Sequence, residues 1–205
     1  MRGEIKKATR VIIVPAMLFS LGVSSPANGQ DLMTMLREGP VVSVKQDADG
    51  GFDRCTAVAH SKAPASAVWR VLMDFESYKE FMPKLMEVEV KERTDTTVVV
   101  SYVLETPGRN TRYAMSYEMR EADHEMDARW HSGSLEGTFG HWRLVEAAGG
   151  TLVYYTGATR NYSRILQRLE DDQQTVTTGV NVSSAIAMVR AVAERAEKLE
   201  SKATD

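Results

Sequence analysis

Few side chains in this sequence stand at a spacing that does chemistry. The four histidines, His60, His124, His131 and His141, include no i,i+4 pair of the kind a zinc protease sets on a helix. No carboxylate motif accompanies them, and His124 and His131 differ in parity, so on one strand they would point to opposite faces. Gly133-Ser134-Leu135-Glu136-Gly137 is not a nucleophile elbow, because its serine stands one place too early. Asp127, Arg129 and His131 share one face of a strand, but alternation makes it the wet face, where a charge row is solvated. Cys55 is the only cysteine, so no internal disulfide forms, and it reads as a small buried or half-buried hydrophobe. Gly-rich phosphate loops are absent. Asn161-Tyr162-Ser163 and Asn181-Val182-Ser183 match the glycosylation sequon, a match short enough to arise by chance. We assign no catalytic residue, no metal ligand and no cofactor from the sequence.

The stronger signal is a set of large, adaptable side chains at period two. Val98, Val100, Tyr102 and Leu104 form one row, and Tyr113, Met115, Tyr117 and Met119 another. Met126, Ala128 and Trp130 continue the pattern, and Trp142 lies on the strand after it. Methionine reshapes around varied apolar partners, while tyrosine and tryptophan offer an apolar face with a polar tip. Tyr102, Tyr113, Met115, Tyr117, Trp130 and Trp142 are therefore the candidate ligand contacts. The plainer alternative is that they are ordinary core residues, which any domain of this size needs.

The elements that would position them follow from the same periodicities. Residues 58–83 begin as a strand, which Ala63-Pro64 ends, because proline lacks the ladder N–H and is preset for a first helical turn. Val68, Val71, Leu72 and Phe75 follow at i, i+3, i+4 and i+7, one apolar stripe on a short helix. Ser77 is placed to cap a second short helix carrying Tyr78 and Phe81, and Pro83 stops it. Helices this short need a sheet to lie on. Upstream, Leu32, Met33 and Leu36 suggest a short helix or a disordered lead, and a strand from Val41 turns at Asp47–Gly51 into the strand ending at Ser61. After Pro83 we expect five strands with short links, hence antiparallel neighbours with one dry face. Residues 163–172 suit a short helix, and the β-branched, Gly-containing stretch 175–179 argues against helix there. From Asn181 the helical period is clear in Val182, Ile186, Val189, Ala193 and Ala196. The fold class is thus α+β: a strongly bent antiparallel sheet of about seven strands around a long C-terminal helix, with two short helices after the first strands, a helix-grip fold.

Two blocks carry a resemblance. Ala63-Pro64, Val68-Trp69, Leu72, Asp74-Phe75, Tyr78 and Phe81-Met82-Pro83 resemble the opening of START-like (SRPBCC) domains, closest to the coenzyme Q-binding branch of the polyketide cyclase/dehydrase and lipid-transport superfamily. Residues 137–144 with Gly149-Gly150-Thr151 resemble that family's closing hairpin. The resemblance covers residues 41–199. It implies a hydrophobic ligand held between sheet and helix, and it brings no fixed catalytic signature.

Length and charge narrow the setting. The chain has 205 residues, 43% hydrophobic and 26% charged, enough for one domain with a normal core. Arg2, Lys6, Lys7 and Arg10 precede an apolar run of about a dozen residues, too short to span a bilayer comfortably, and Ser25-Pro26-Ala27 offers small residues for cleavage. Residues 1–27 read as a secretory signal peptide and 28–205 as the ligand-binding domain, so the expected location is periplasmic. Cleavage removes four basic residues and one acidic, leaving 21 basic against 27 acidic, net −6. That balance disfavours nucleic acid and anionic surfaces. The expected function is binding or carrying a quinone, polyprenyl or other lipid, with at most transient membrane contact. The enzyme alternative is a cyclase, dehydratase or hydrolase acting on a polyketide-like substrate in the same cavity. It would need a titratable group held inside, and the inward rows supply only tyrosines, although a one-residue register slip would exchange the rows. A third alternative, a partner-binding module using the wet face, fits poorly with export.

Overall fold

The computed structural model describes residues 13–15, 28–106, 110–160 and 174–204. The expected cleavage region, the first sequon and the stretch 163–172 lie outside the described residues. In chain order the elements are β1 (Ile13–Pro15), α1 (Asn28–Glu38), β2 (Val41–Gln46), β3 (Phe52–Ser61), α2 (Ala65–Met73), a 3-10 turn (Phe75–Ser77), α3 (Tyr78–Phe81), β4 (Leu85–Arg93), β5 (Thr97–Leu104), β6 (Thr111–Arg120), β7 (Glu125–Gly133), β8 (Phe139–Ala147), β9 (Gly150–Ala158) and α4 (Gln174–Thr204). A further 3-10 turn, Glu121–Asp123, links β6 to β7.

The strands form one sheet in the order β1-β2-β3-β9-β8-β7-β6-β5-β4. Strands β2 to β9 pair antiparallel, and β1 adds three residues in parallel register to β2, within the expected signal peptide. Six strands, not five, follow Pro83. The architecture is the expected α+β helix-grip. β3 pairs with β9, so the meander β4–β9 closes back onto the first hairpin and α4 lies across β3, β9 and β2.

Local sequence explains most boundaries. Pro64 stands at the N-cap of α2 in extended backbone, and α2 buries Ala65, Ala67, Val68, Trp69, Val71 and Leu72. Ser77 precedes α3 but its hydroxyl makes no capping bond; the chain simply continues in helical backbone from the 3-10 turn. Met82 is extended, as a residue before proline must be. The hairpin β8–β9 turns on Gly149 and Gly150, whose φ values of 80° and 147° suit glycine, and a Cβ on Gly150 would strike the Ser61 carbonyl.

α4 includes Gln174 to Gly179, earlier than its propensities suggest. Tertiary bonds override the weak local preference: the Asn181 side chain accepts the Thr159 backbone N–H at 2.7 Å and donates to the Thr177 carbonyl at 3.1 Å. Asn181 is 3% exposed, so the second sequon is shielded in the folded protein. Farther along, Val182, Ala185, Ile186, Val189, Val192, Ala193 and Ala196 face the sheet. α4 is also long and apolar enough to cross a membrane, but that apolar content is the stripe gripping the sheet. The outer face of the sheet is not wet throughout. α1 covers one end of it, where Leu36 meets Val58 and Leu152, with Leu32, Met33 and Tyr154 around them.

Candidate functional site

Register places the predicted residues on one face. Tyr102 pairs with Tyr113, Val100 with Met115, Val98 with Tyr117, Met115 with Trp130, Met126 with Trp142, and Trp142 with Tyr155. A bulge between Ala114 and Met115 lets Tyr113 oppose Gly133 while Met115 opposes Trp130. The same face continues into Ala57 and Ala59 of β3, beneath α4.

This concave face has a closed and an open part. Tyr102, Met115, Tyr117 and Trp142 are buried, packed into the core with Phe75, Leu72 and Met126. Tyr113, Trp130 and Tyr155 are only half-buried against that core, as is Met188 of α4. Of the six expected contacts, then, four are fully buried in the core and two, Tyr113 and Trp130, are partly buried against it. Tyr155 was missed by sequence reasoning. Its ring lies flat over two glycines: a Cβ on Gly140 would sit 2.8 Å from the ring, and one on Gly157 would sit 2.7 Å from its hydroxyl. It also meets the Trp142 ring at 4.8 Å. The signal was available only as glycines on β8 and β9 that register sets beside it.

The β7–β8 loop steadies the open part. The Trp130 indole N–H donates to the Ser134 carbonyl at 3.1 Å. Leu135 is 4% exposed with φ 66°, a left-handed conformation that costs a branched residue about 1 kcal/mol and is kept here by burial.

The polar groups of the face are hydroxyls. Tyr102 and Tyr117 share a hydrogen bond of 2.8 Å between their oxygens, and the Tyr102 ring rests on Tyr113 at 5.4 Å. Tyr78 donates to the Leu72 carbonyl at 2.6 Å, and its ring packs on Phe75 at 5.2 Å. Burial pushes the tyrosines up: Tyr113 to about 12, and Tyr78, Tyr102 and Tyr117 further above their ordinary range. All four are neutral donors at physiological pH. No Asp, Glu, Lys, Arg or His is buried among the described residues. Cys55, near the start of α4, has its thiol pushed up to about 11 by burial, which a backbone hydrogen bond offsets only in part, and points at the Gly157 and Asn181 carbonyls.

The titratable side chains gather on the outer face instead. The His141 Nδ1 lies 2.8 Å from Asp127 Oδ1, and Arg120 donates to Asp127 at 2.7 Å and to Glu125 at 3.2 Å. Burial alone would raise the Asp127 carboxyl, but its bonds to Arg120 and His141 outweigh that and hold it below its usual range. No cluster of three His, Cys, Asp or Glu able to hold a metal occurs among the described residues. Two surface clefts lie away from the concave face. One, of about 280 Å³, runs between α2, α3 and the end of α4, flanked by Arg70 and Arg195. The other borders Lys62, Pro64 and Glu194.

Comparison with known proteins agrees with this geometry. A family model described as polyketide cyclase / dehydrase and lipid transport matches residues 61–202. Among the curated proteins, none matches the sequence significantly. The Zhui aromatase/cyclase from Streptomyces sp. R1128 superposes with a TM-score of 0.60 at 20% identity, covering 71% of this chain and 94% of that one. A STAR-related lipid transfer protein fragment from Xanthomonas axonopodis gives 0.55 at 19%, covering 75% and 94%. A START superfamily protein from Mycobacterium smegmatis gives 0.53 at 13%, covering 71% and 98%. At these identities the likeness shows the fold alone.

Proposed function

The chain belongs to the polyketide cyclase/dehydrase and lipid-transport family of the START-like superfamily, and from that premise we propose that it is an exported carrier of a hydrophobic small molecule. The ligand, a quinone, a polyprenyl lipid or another membrane lipid, lies between the concave face and α4. The observation that supports this reading is that Tyr113, Trp130 and Tyr155, large side chains on the inward rows of the sheet, are only partly buried against the core, as is Met188 of α4. Covering such surface recovers roughly 25 cal/mol per Å², before the costs of association. Sequestration needs no catalyst, and among the described residues the titratable groups buried on this face are tyrosines and Cys55, held neutral.

The test is a native preparation without harsh detergent, extracted into organic solvent and analysed by mass spectrometry. A co-purifying lipophile is expected. Trp130→Ala should reduce its retention about tenfold while lowering stability by only about 1 kcal/mol, because Trp130 is half-exposed. Trp69→Ala, in the core on α2, should do the reverse. Empty preparations, with no lipid or quinone shifting the melting temperature, would refute the carrier reading. The export claim is checked by the intact mass of periplasmic protein, expected shorter by about 27 residues.

A further inference from the structure

Among the described residues the sheet ends in two edges, and they differ in how they are defended. At one, β4 carries Glu87, Glu89, Lys91, Glu92 and Arg93, and its pairing slips twice, between Leu85 and Glu87 and between Val90 and Glu92. Charges and bulges of this kind keep a further strand from adding to an edge. At the other, Val41-Val42-Ser43-Val44 of β2 is uncharged and pairs with β3 in unbroken register as far as Lys45. Both faces beside it are covered. Val41 packs with the α1 cluster outside, and Val42 lies in the core inside, where α4 touches β2. The backbone groups on the free side of β2 do take a strand: residues 13–15 add to it in parallel register, Ile13 beside Val42 and Pro15 beside Val44. Those three residues belong to the expected signal peptide, so cleavage leaves β2 with a row of unpaired N–H and C=O groups.

We infer that the processed protein joins a second copy of itself through this edge, β2 against β2, into one continuous sheet. The pairing is antiparallel about a twofold axis, as a self-complementary patch on two identical subunits requires. With the axis at Ser43, that residue faces its own counterpart, Val42 faces Val44 on the core side, and Lys45 faces Val41 on the outer side. No like charges then stand directly opposite one another. Because β4 is closed to addition, growth stops at two copies, where a sheet with two open edges would run on. The dimer requires removal of residues 1–27 and does not depend on what the concave face holds.

The test uses the processed protein from the periplasm, its intact mass checked, in sedimentation velocity over a range of concentrations. Six residues a side bury less than the roughly 1,200 Å² of a standard interface, so the dimer should form at about 100 µM and dissociate by about 1 µM. Ser43→Lys sets two like charges face to face on the axis and should weaken association at least about tenfold. Ser43 is exposed, so the variant should melt near wild type. Ser43→Ala should associate as wild type does. A fluorescently labelled Ser43→Lys chain should sediment as a dimer again when mixed with Ser43→Glu, because opposite charges then meet at the axis, and a misfolded chain would not recover in this way. Wild type that stays monomeric at about 100 µM, association that Ser43→Lys leaves intact, or a loss that Ser43→Glu does not restore would each overturn the dimer while leaving the carrier reading standing. A periplasmic product that keeps residues 1–27 would overturn the export claim and the dimer together.

Discussion

The two parts of the concave face are built from the same kinds of residue and differ in what lies above them. In the closed part, Met126, Leu72, Phe75 and Val189 are fully buried, and α2 packs against the sheet there. In the open part, Tyr113, Trp130 and Tyr155 stay half-buried although they belong to the same register rows as Met115, Trp142 and Tyr117. Side-chain chemistry therefore does not separate core from candidate site; depth of burial does. A closed part gives stability and an open part gives function, and this division is what the following substitutions probe.

The largest effect is expected at Val189, where α4 seals the closed part. Val189 is 0% exposed, and Val189→Asp buries a charge with no partner, at a cost of about 3 kcal/mol or more. For a domain of this size that should abolish the cooperative thermal transition. A variant that melts within a few degrees of wild type would mean that α4 does not hold the sheet, and the division between the two parts would have no basis.

The Val189 stripe was legible in the sequence, because a 3.6-residue period survives any tertiary context. So were the period-two rows and the break at Ala63-Pro64. The start of α4 was not, because residues 175–179 disfavour helix locally and are held in it by Asn181 bonding to Thr159 and Thr177. The role of Tyr155 was not legible either, since it depends on Gly140 and Gly157 reaching it from neighbouring positions in register. The Asp127–His141 contact joins different strands, so no spacing within the chain announces it. The six proposed ligand contacts came out on one face, but sequence parity reports which face a residue takes and says nothing of how deeply it is covered.

An intermediate effect is expected from alkali. The Cys55 thiol is raised from an ordinary value of 9.0 to about 11, so in the unfolded chain it ionises first. The unfolded state then binds fewer protons, and stability falls as pH rises from about 9 toward 11, by about 2 kcal/mol if the whole shift is realised. Below about pH 9 both states hold the proton and the effect disappears. Denaturant melts of wild type and Cys55→Ala at both ends of that window isolate this contribution, because the buried tyrosines titrate alike in both proteins. Wild type should lose about 2 kcal/mol more than the variant; equal losses would show that the start of α4 is open to water.

The smallest effect belongs to the outer face, which serves as the control for both parts. Asp127 is held below its usual carboxyl range by Arg120 and His141, but all three side chains are about one-third exposed, so water screens the network. Asp127→Asn should cost about 0.5–1 kcal/mol at neutral pH, since asparagine keeps an oxygen to accept from Arg120 but no charge. The sign with pH follows from the depressed carboxyl. Its contribution is present above the unfolded value of about 3.9 and is lost as pH falls through the lower folded value. Melts of wild type and variant should therefore converge in acid. Ligand retention should stay within about twofold of wild type, because Asp127 pairs across strands on the face opposite Ala128 and Trp130. A marked loss of ligand from Asp127→Asn would couple the outer charge network to the open part of the concave face, and the outer face would no longer serve as a control.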